Sequence, residues 1–362
     1  MCKRIFGPIS LLLSSLGCIV AFFLSSLCPL CAQATPPSLG LFQNHADIGT
    51  VLHAGSAQYD APHNAYSLAG SGENVWFTSD AFQFAWKQTT GDIALTADIA
   101  FPEKGGNPHR KAVLMIRQSL DADAPYADVA LHGDGLTSLQ FREAKGSTTH
   151  EIQTNYSAPH RLRIEKRGDF IYIFLAGEVG ETLRPSGASI KLPLQGSFYV
   201  GIGVCSHEKD VVEKAVFSNL TLSVPAASTT TPVLYSTLET VAIASSDRRV
   251  VYGAASHFEA PNWSRDGTYF LFNQEGTSCN CPSPGERPRP STRAQPRIAT
   301  TTTAFRPTIL CWLSATSRNL TTSPAFTSCP SAAAAAARHP KLSVLLAWVV
   351  ARRQDPRLRR AA

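Results

Sequence analysis

Methionine is nearly absent from this 362-residue chain, with two copies, and no heptad pattern of apolar residues runs through it. A helical bundle or coiled coil is therefore excluded. Acidic residues are almost missing from one region. Residues 277–362 carry 13 Lys and Arg against only Glu286 and Asp355, leaving 20 basic and 25 acidic residues before position 277. The first three quarters is thus mildly acidic, and no nucleic-acid partner is expected for it. Cysteine is scarce where a disulfide framework would need it. Of nine, Cys2, Cys18, Cys28 and Cys31 fall in the first 34 residues and Cys279, Cys281, Cys311 and Cys329 in the basic tail. Cys205 stands alone in an apolar run and reads as a small buried hydrophobe. The tail cysteines fit no compact four-ligand zinc spacing. Gly-x-Ser-x-Gly, His-Glu-x-x-His and a phosphate-cradling Gly-rich loop are also absent.

What is present begins with an export signature. Lys3 and Arg4 precede an apolar stretch from Ile9 to Leu30, and Ala32-Gln33-Ala34 offers a peptidase site before Thr35. Residues 1–34 are read as a secretory signal peptide, which places the mature chain in the periplasm or outside the cell. A membrane is a partner only if that signal stays uncleaved.

From 38 to 224, strand-like runs alternate with Gly, Asp, Asn and Pro turns. Phe82–Trp86, Ile93–Phe101, Ala112–Arg117, Tyr126–His132, Ser138–Arg142, Phe170–Leu175, Ser197–Cys205 and Ala215–Leu222 show it best. No ten-residue helical pattern intervenes. The expectation is an all-β, antiparallel two-sheet sandwich. The succession Gly70-Ser-Gly-Glu-Asn-Val-Trp76, Lys111-Ala-Val-Leu-Met-Ile-Arg117, His132-Gly-Asp-Gly135, Gln140-Phe-Arg142 and Val200-Gly-Ile-Gly203 resembles the concanavalin A-like, laminin-G-like jelly-roll sandwiches of bacterial exported proteins. That resemblance implies a β-sandwich that binds sugars or proteins or hydrolyses glycans, so the chemistry must come from the site.

Glycanases need two carboxylates converging on one sugar, which alternate positions of one strand supply. No strand here does so, and no catalytic residue is assigned. The candidate ligand-binding residues are Trp76, Arg117, Tyr126, His132 and Arg142, with the aromatic rings suited to stacking on a sugar face. Against this, Trp76 and Trp86 sit among Val and Phe, as core residues do. Asp121 and Asp123, in an Asp/Pro-rich turn, are the candidate ligands for calcium, the one cofactor considered.

Residues 225–232 read as a linker. Within 233–276, Pro261-Asn-Trp263-Ser264-Arg-Asp266-Gly267 followed by Tyr269-Phe-Leu-Phe272 resembles one repeat of a TolB-type β-propeller. A propeller closes only with four or more blades, and this chain carries about one. After Gly276 the composition turns to Ser, Thr, Pro, Arg and Ala. Back-translation of 299–317 and 341–361 in shifted frames permits two further copies of the turn-and-strand motif. The segment 277–362 is accordingly read as a disordered, frameshifted tail, a point that resequencing across codons 276–340 decides. The functional expectation is a non-catalytic binding or scaffolding protein of the cell envelope with a glycan or protein ligand. A glycoside hydrolase, or a remnant of a propeller-containing hydrolase, is the alternative.

Overall fold

A computed structural model describes residues 38–226, 234–264 and 266–282, together with the backbone of two later strands. The expected signal peptide at 1–34, most of the linker and the bulk of the tail lie outside the described residues. Among those described there is no helix.

The larger sheet runs, edge to edge, through β1 (Asn44–Ile48), β5 (Ser79–Thr89), β14 (Phe198–Cys205), β7 (Lys111–Arg117), β8 (Tyr126–His132), β9 (Leu136–Arg142), β10 (His150–Ser157), β17 (Arg248–Ala254), β16 (Leu234–Ala242) and β22 (Leu345–Arg353). The short β4 (Asn74–Trp76) folds back on β5. A second sheet orders β13 (Arg184–Lys191), β12 (Phe170–Ala176), β11 (Arg161–Arg167), β6 (Ile93–Ala100), β15 (Glu213–Ser223), β3 (Ala65–Gly70) and β2 (Ser56–Asp60). A third, small sheet joins β18 (Phe258–Trp263), β19 (Tyr269–Gln274), β20 (Thr277–Pro282) and β21 (Arg289–Pro290). The pairing of β10 with β17 is parallel, and the others are antiparallel. The chain is an antiparallel β-sandwich, as its alternation implies.

Alternation explains why the large sheet is buried on both sides. In β7, Ala112, Leu114 and Ile116 face the second sheet and join the main core with Leu95, Ile164 and Ile173. Val113 and Met115 face the other way, into a second apolar cluster with Phe82, Phe84, Trp86 and Tyr126. Val75, Leu120 and Ala122, from β4 and the loop after β7, roof that cluster. The outer face of the sheet is therefore covered at its centre by the chain's own hairpin and loop.

Two boundaries differ from the sequence reading. Strands β16 and β17 belong to the large sheet, so residues 234–254 extend the sandwich and do not begin a propeller blade. The reason is burial: Val250 enters the main core while Val251 and Leu238 enter a third cluster against the small sheet. The segment expected to be disordered also starts too early. Thr277–Pro282 is a strand whose Cys279 and Cys281 alternate into that third cluster, and the backbone of Leu345–Arg353 pairs along β16 from Leu234 to Ala242.

Candidate functional site

The polar candidates converge, but inside the protein. In register across three strands, Arg117 partners Tyr126 and Tyr126 partners Arg142 on the roofed face. Between the two arginines lies Asp80 of β5. Arg142 donates to it through both terminal nitrogens, at 2.7 and 3.0 Å, and Arg117 stands 3.4 Å away. Arg142 spends its remaining donors on carbonyls: Ser147 at 3.1 Å, Ala122 and Ala124 at 3.3 and 3.2 Å, and Trp76 and Phe77 at 3.2 Å each. Arg117 likewise holds the carbonyls of Ser119 and Asp121. Both guanidiniums are sealed from solvent. They clasp the roof to the sheet, which is a structural task, and the sequence expectation that they bind ligand is corrected.

Tyr126 is also corrected. Its exposure is 0%, its hydroxyl lies 3.3 Å from Thr149 Oγ1, and the Arg142 guanidinium sits 5.0 Å over its ring. No face of this ring is open to a sugar. His132 is buried as well. Its Nδ1 meets the Leu136 carbonyl at 3.0 Å, and desolvation, with the nearby Lys111 charge, lowers its pKa from 6.5 to about 4. A neutral, enclosed imidazole of this kind stabilises a turn. In the same neighbourhood Lys111 Nζ donates to Asn74 Oδ1, the Val75 carbonyl and Gln140 Oε1, tying down β4. Burial pushes the Asp128 carboxyl well above the usual carboxylate range, against the opposing pull of the nearby Lys111 charge.

Asp121 and Asp123 are at the surface, with Lys145 Nζ 2.5 Å from the first and 3.3 Å from the second. An ammonium group thus answers the charges that calcium was expected to answer. Among the described residues no group of three His, Cys, Asp or Glu converges in a way that would hold a metal ion.

Of the aromatic candidates, Trp86 is core, stacked on Phe84. Trp76 survives. It is half-buried at the end of β4, with the Lys111 ammonium 5.0 Å from its ring centre. Beside it the structure shows a residue that the sequence reading missed. Phe77 is 65% exposed and has a φ of +50°, a left-handed conformation that a bulky side chain seldom adopts. Its carbonyl is gripped by Arg142 and by the Thr149 amide at 2.8 Å. The grip over-determines the turn, so the ring is driven outward and kept there. Nothing in the sequence signals a positive φ at phenylalanine; only the spacing of Trp76 before the Ser79 strand hints at a tight turn.

The propeller-like motif folds locally as its residues imply. Pro261 and Trp263 close β18, and Ser264 Oγ accepts the Tyr269 amide at 3.0 Å. Gly267 takes a φ of +74°, its amide donating to the Ser264 carbonyl. Asp266 Oδ1 accepts from the Thr268 amide and hydroxyl at 3.1 and 2.8 Å. Trp263 packs on Phe270 at 4.8 Å between ring centres.

No family model matches the sequence, and no curated protein matches it. Solved structures similar to it include a functionally unknown protein from Saccharomyces cerevisiae, at 15% identity over 47% of this chain and 92% of that one, with a TM-score of 0.39. The carbohydrate-binding module CBM66 from Bacillus subtilis is similar at 17% identity over 51% and 97%, with a TM-score of 0.35. The polysaccharide lyase family 7 alginate lyase AlgAT5 is similar at 12% identity over 46% and 81%, with a TM-score of 0.31. At such scores these likenesses carry no argument about activity or ligand, which must rest on the chain's own residues.

Proposed function

We propose that this chain is an exported, non-catalytic binding or scaffolding protein of the cell envelope, and that it docks a glycan on the Trp76–Phe77 tip. The observation that carries the reading is Phe77: an exposed ring on a strained turn, anchored from beneath by Arg142 and Asp80. Strain that the surrounding structure holds in place is a mark of binding sites, because a ring already fixed loses little entropy on contact. A flat aromatic face beside the half-buried Trp76 suits the apolar face of a sugar ring. Binding is favoured over hydrolysis because Asp80 and Asp128 lie beneath the roof and out of reach of substrate, which leaves the half-exposed Glu151 on this face without a second accessible carboxyl among them to pair with. The export part of the reading rests on residues 1–34.

The test is Phe77→Gly. Glycine adopts the positive φ freely, so the variant should keep its thermal midpoint or gain about 1 kcal/mol of stability. Affinity for soluble β-glucan, xylan or chitooligosaccharide, measured by calorimetry, should fall by about fivefold, the worth of roughly 1 kcal/mol of stacking. Saccharide binding unchanged in Phe77→Gly, or loss of binding only in variants that also unfold, would overturn the proposal.

A further inference from the structure

A cleft of about 280 Å³ lies where β10, β16 and β17 meet the β18–β19 hairpin, beside the roofed centre of the sheet. Its residues come in rows set by the sheet. Gln153 on β10, Arg249 on β17 and Thr240 on β16 are cross-strand partners and form one row. Glu151 and Asp247, each two positions earlier, form the next, about 6.6 Å along the strands. Val251, Trp263 and Phe270 supply an apolar wall.

What distinguishes these groups is how much of their bonding capacity is unspent. Glu151 Oε1 accepts from Gln153 Nε2 at 2.6 Å, and Asp247 Oδ1 accepts the Glu151 amide at 3.0 Å. His150 Nδ1 stands 3.7 Å from the same Asp247 oxygen. Among the described residues nothing donates to the second oxygen of either acid, and the exposed Arg249 has no protein partner. Its neighbour Arg248 is committed, to Glu239 at 3.4 Å and the Ser189 carbonyl at 3.0 Å.

From these rows we infer that the cleft binds a free α-amino acid with an apolar side chain. Its ammonium would sit on the Glu151–Asp247 row and its carboxylate on the Arg249 guanidinium, with the side chain against Val251 and Phe270. The alternatives fit less well. A simple anion is repelled by the two acids, a simple cation by Arg249, and a neutral sugar leaves the Arg249 charge unanswered. The cleft adjoins the Trp76–Phe77 tip through Gln140 and Lys111 but uses none of the tip's residues.

Calorimetry of the full chain with L-leucine, N-acetyl-L-leucine and L-leucinamide tests the assignment. Saturable binding of leucine is expected, weakened at least about tenfold when either charge is blocked. Arg249→Gln, at an exposed side chain, and Glu151→Gln, at a half-buried one, should weaken leucine to a similar degree with unchanged circular dichroism. Phe77→Gly should leave leucine binding intact, which separates this site from the glycan tip. The inference is overturned if leucine, valine and phenylalanine give no saturable heat at about 10 mM. It is overturned equally if the blocked forms bind as tightly as leucine, or if Arg249→Gln removes saccharide binding while leucine binding persists.

Discussion

A side chain's type states what it can do, and its neighbours decide whether it is free to do it. Arg117, Tyr126 and Arg142 have the chemistry of a sugar site and are spent on Asp80 and on backbone carbonyls. Phe77 has the least specific chemistry and is the residue left free. His132 makes the same point through protonation. Its folded pKa, about 4, lies below the ordinary 6.5, so between these values the unfolded chain binds a proton that the folded chain refuses. Stability is therefore complete above about pH 6.5 and declines as pH falls toward 4, by about 3 kcal/mol for this group. Urea unfolding from pH 7 to 4 should show that decline, and His132→Gln should flatten it. An unaltered slope in the variant would assign the acid sensitivity elsewhere.

Among the elements, the long apolar strands were legible in the sequence. β5, β6, β7, β8 and β14 show alternation or continuous apolar runs. The edge and polar strands β1, β2, β10 and β13 were not, because each is solvated on one side and carries few apolar residues. That omission hid the cleft, since β10 provides Glu151 and Gln153. The glycines of β14 were visible as Val-Gly-Ile-Gly, but their purpose was not. A Cβ on Gly201 would stand 2.0 Å from the Ala85 carbonyl oxygen and 2.8 Å from the Phe84 ring, and one on Gly203 would stand 2.8 Å from the Phe82 ring. These two positions let the aromatic rings of β5 lie flat across β14 beneath the roof. Gly201→Ala should cost about 3 kcal/mol through overpacking against backbone that cannot yield. Chemical denaturation checks this, and a loss under about 0.5 kcal/mol would mean that the strands separate easily.

For the whole molecule, residues 234–282 are continuous with the sandwich. Limited proteolysis of the purified chain should leave a fragment that retains Leu234–Pro282, because Leu238, Val251, Phe258, Phe270 and Cys281 share one buried cluster. Trimming to about residue 226 would show instead that β16–β20 are dispensable. The sequence alone settled that the chain is all-β with a two-sheet core, because alternation of period two is local and survives without knowledge of partners. It settled the Ser264–Gly267 turn for the same reason: donors, acceptors and the positive-φ glycine all lie within six residues. It could not settle which outward-facing residues meet solvent. That depended on β4 and the loop after β7 folding over the sheet, a contact between Val75, Leu120 and Met115 across dozens of residues. Nor could it bring Gln153 beside Arg249, nearly a hundred residues apart, into one row. Periodicity fixes the face of a strand; burial and neighbours are set by long-range packing, which no local pattern encodes.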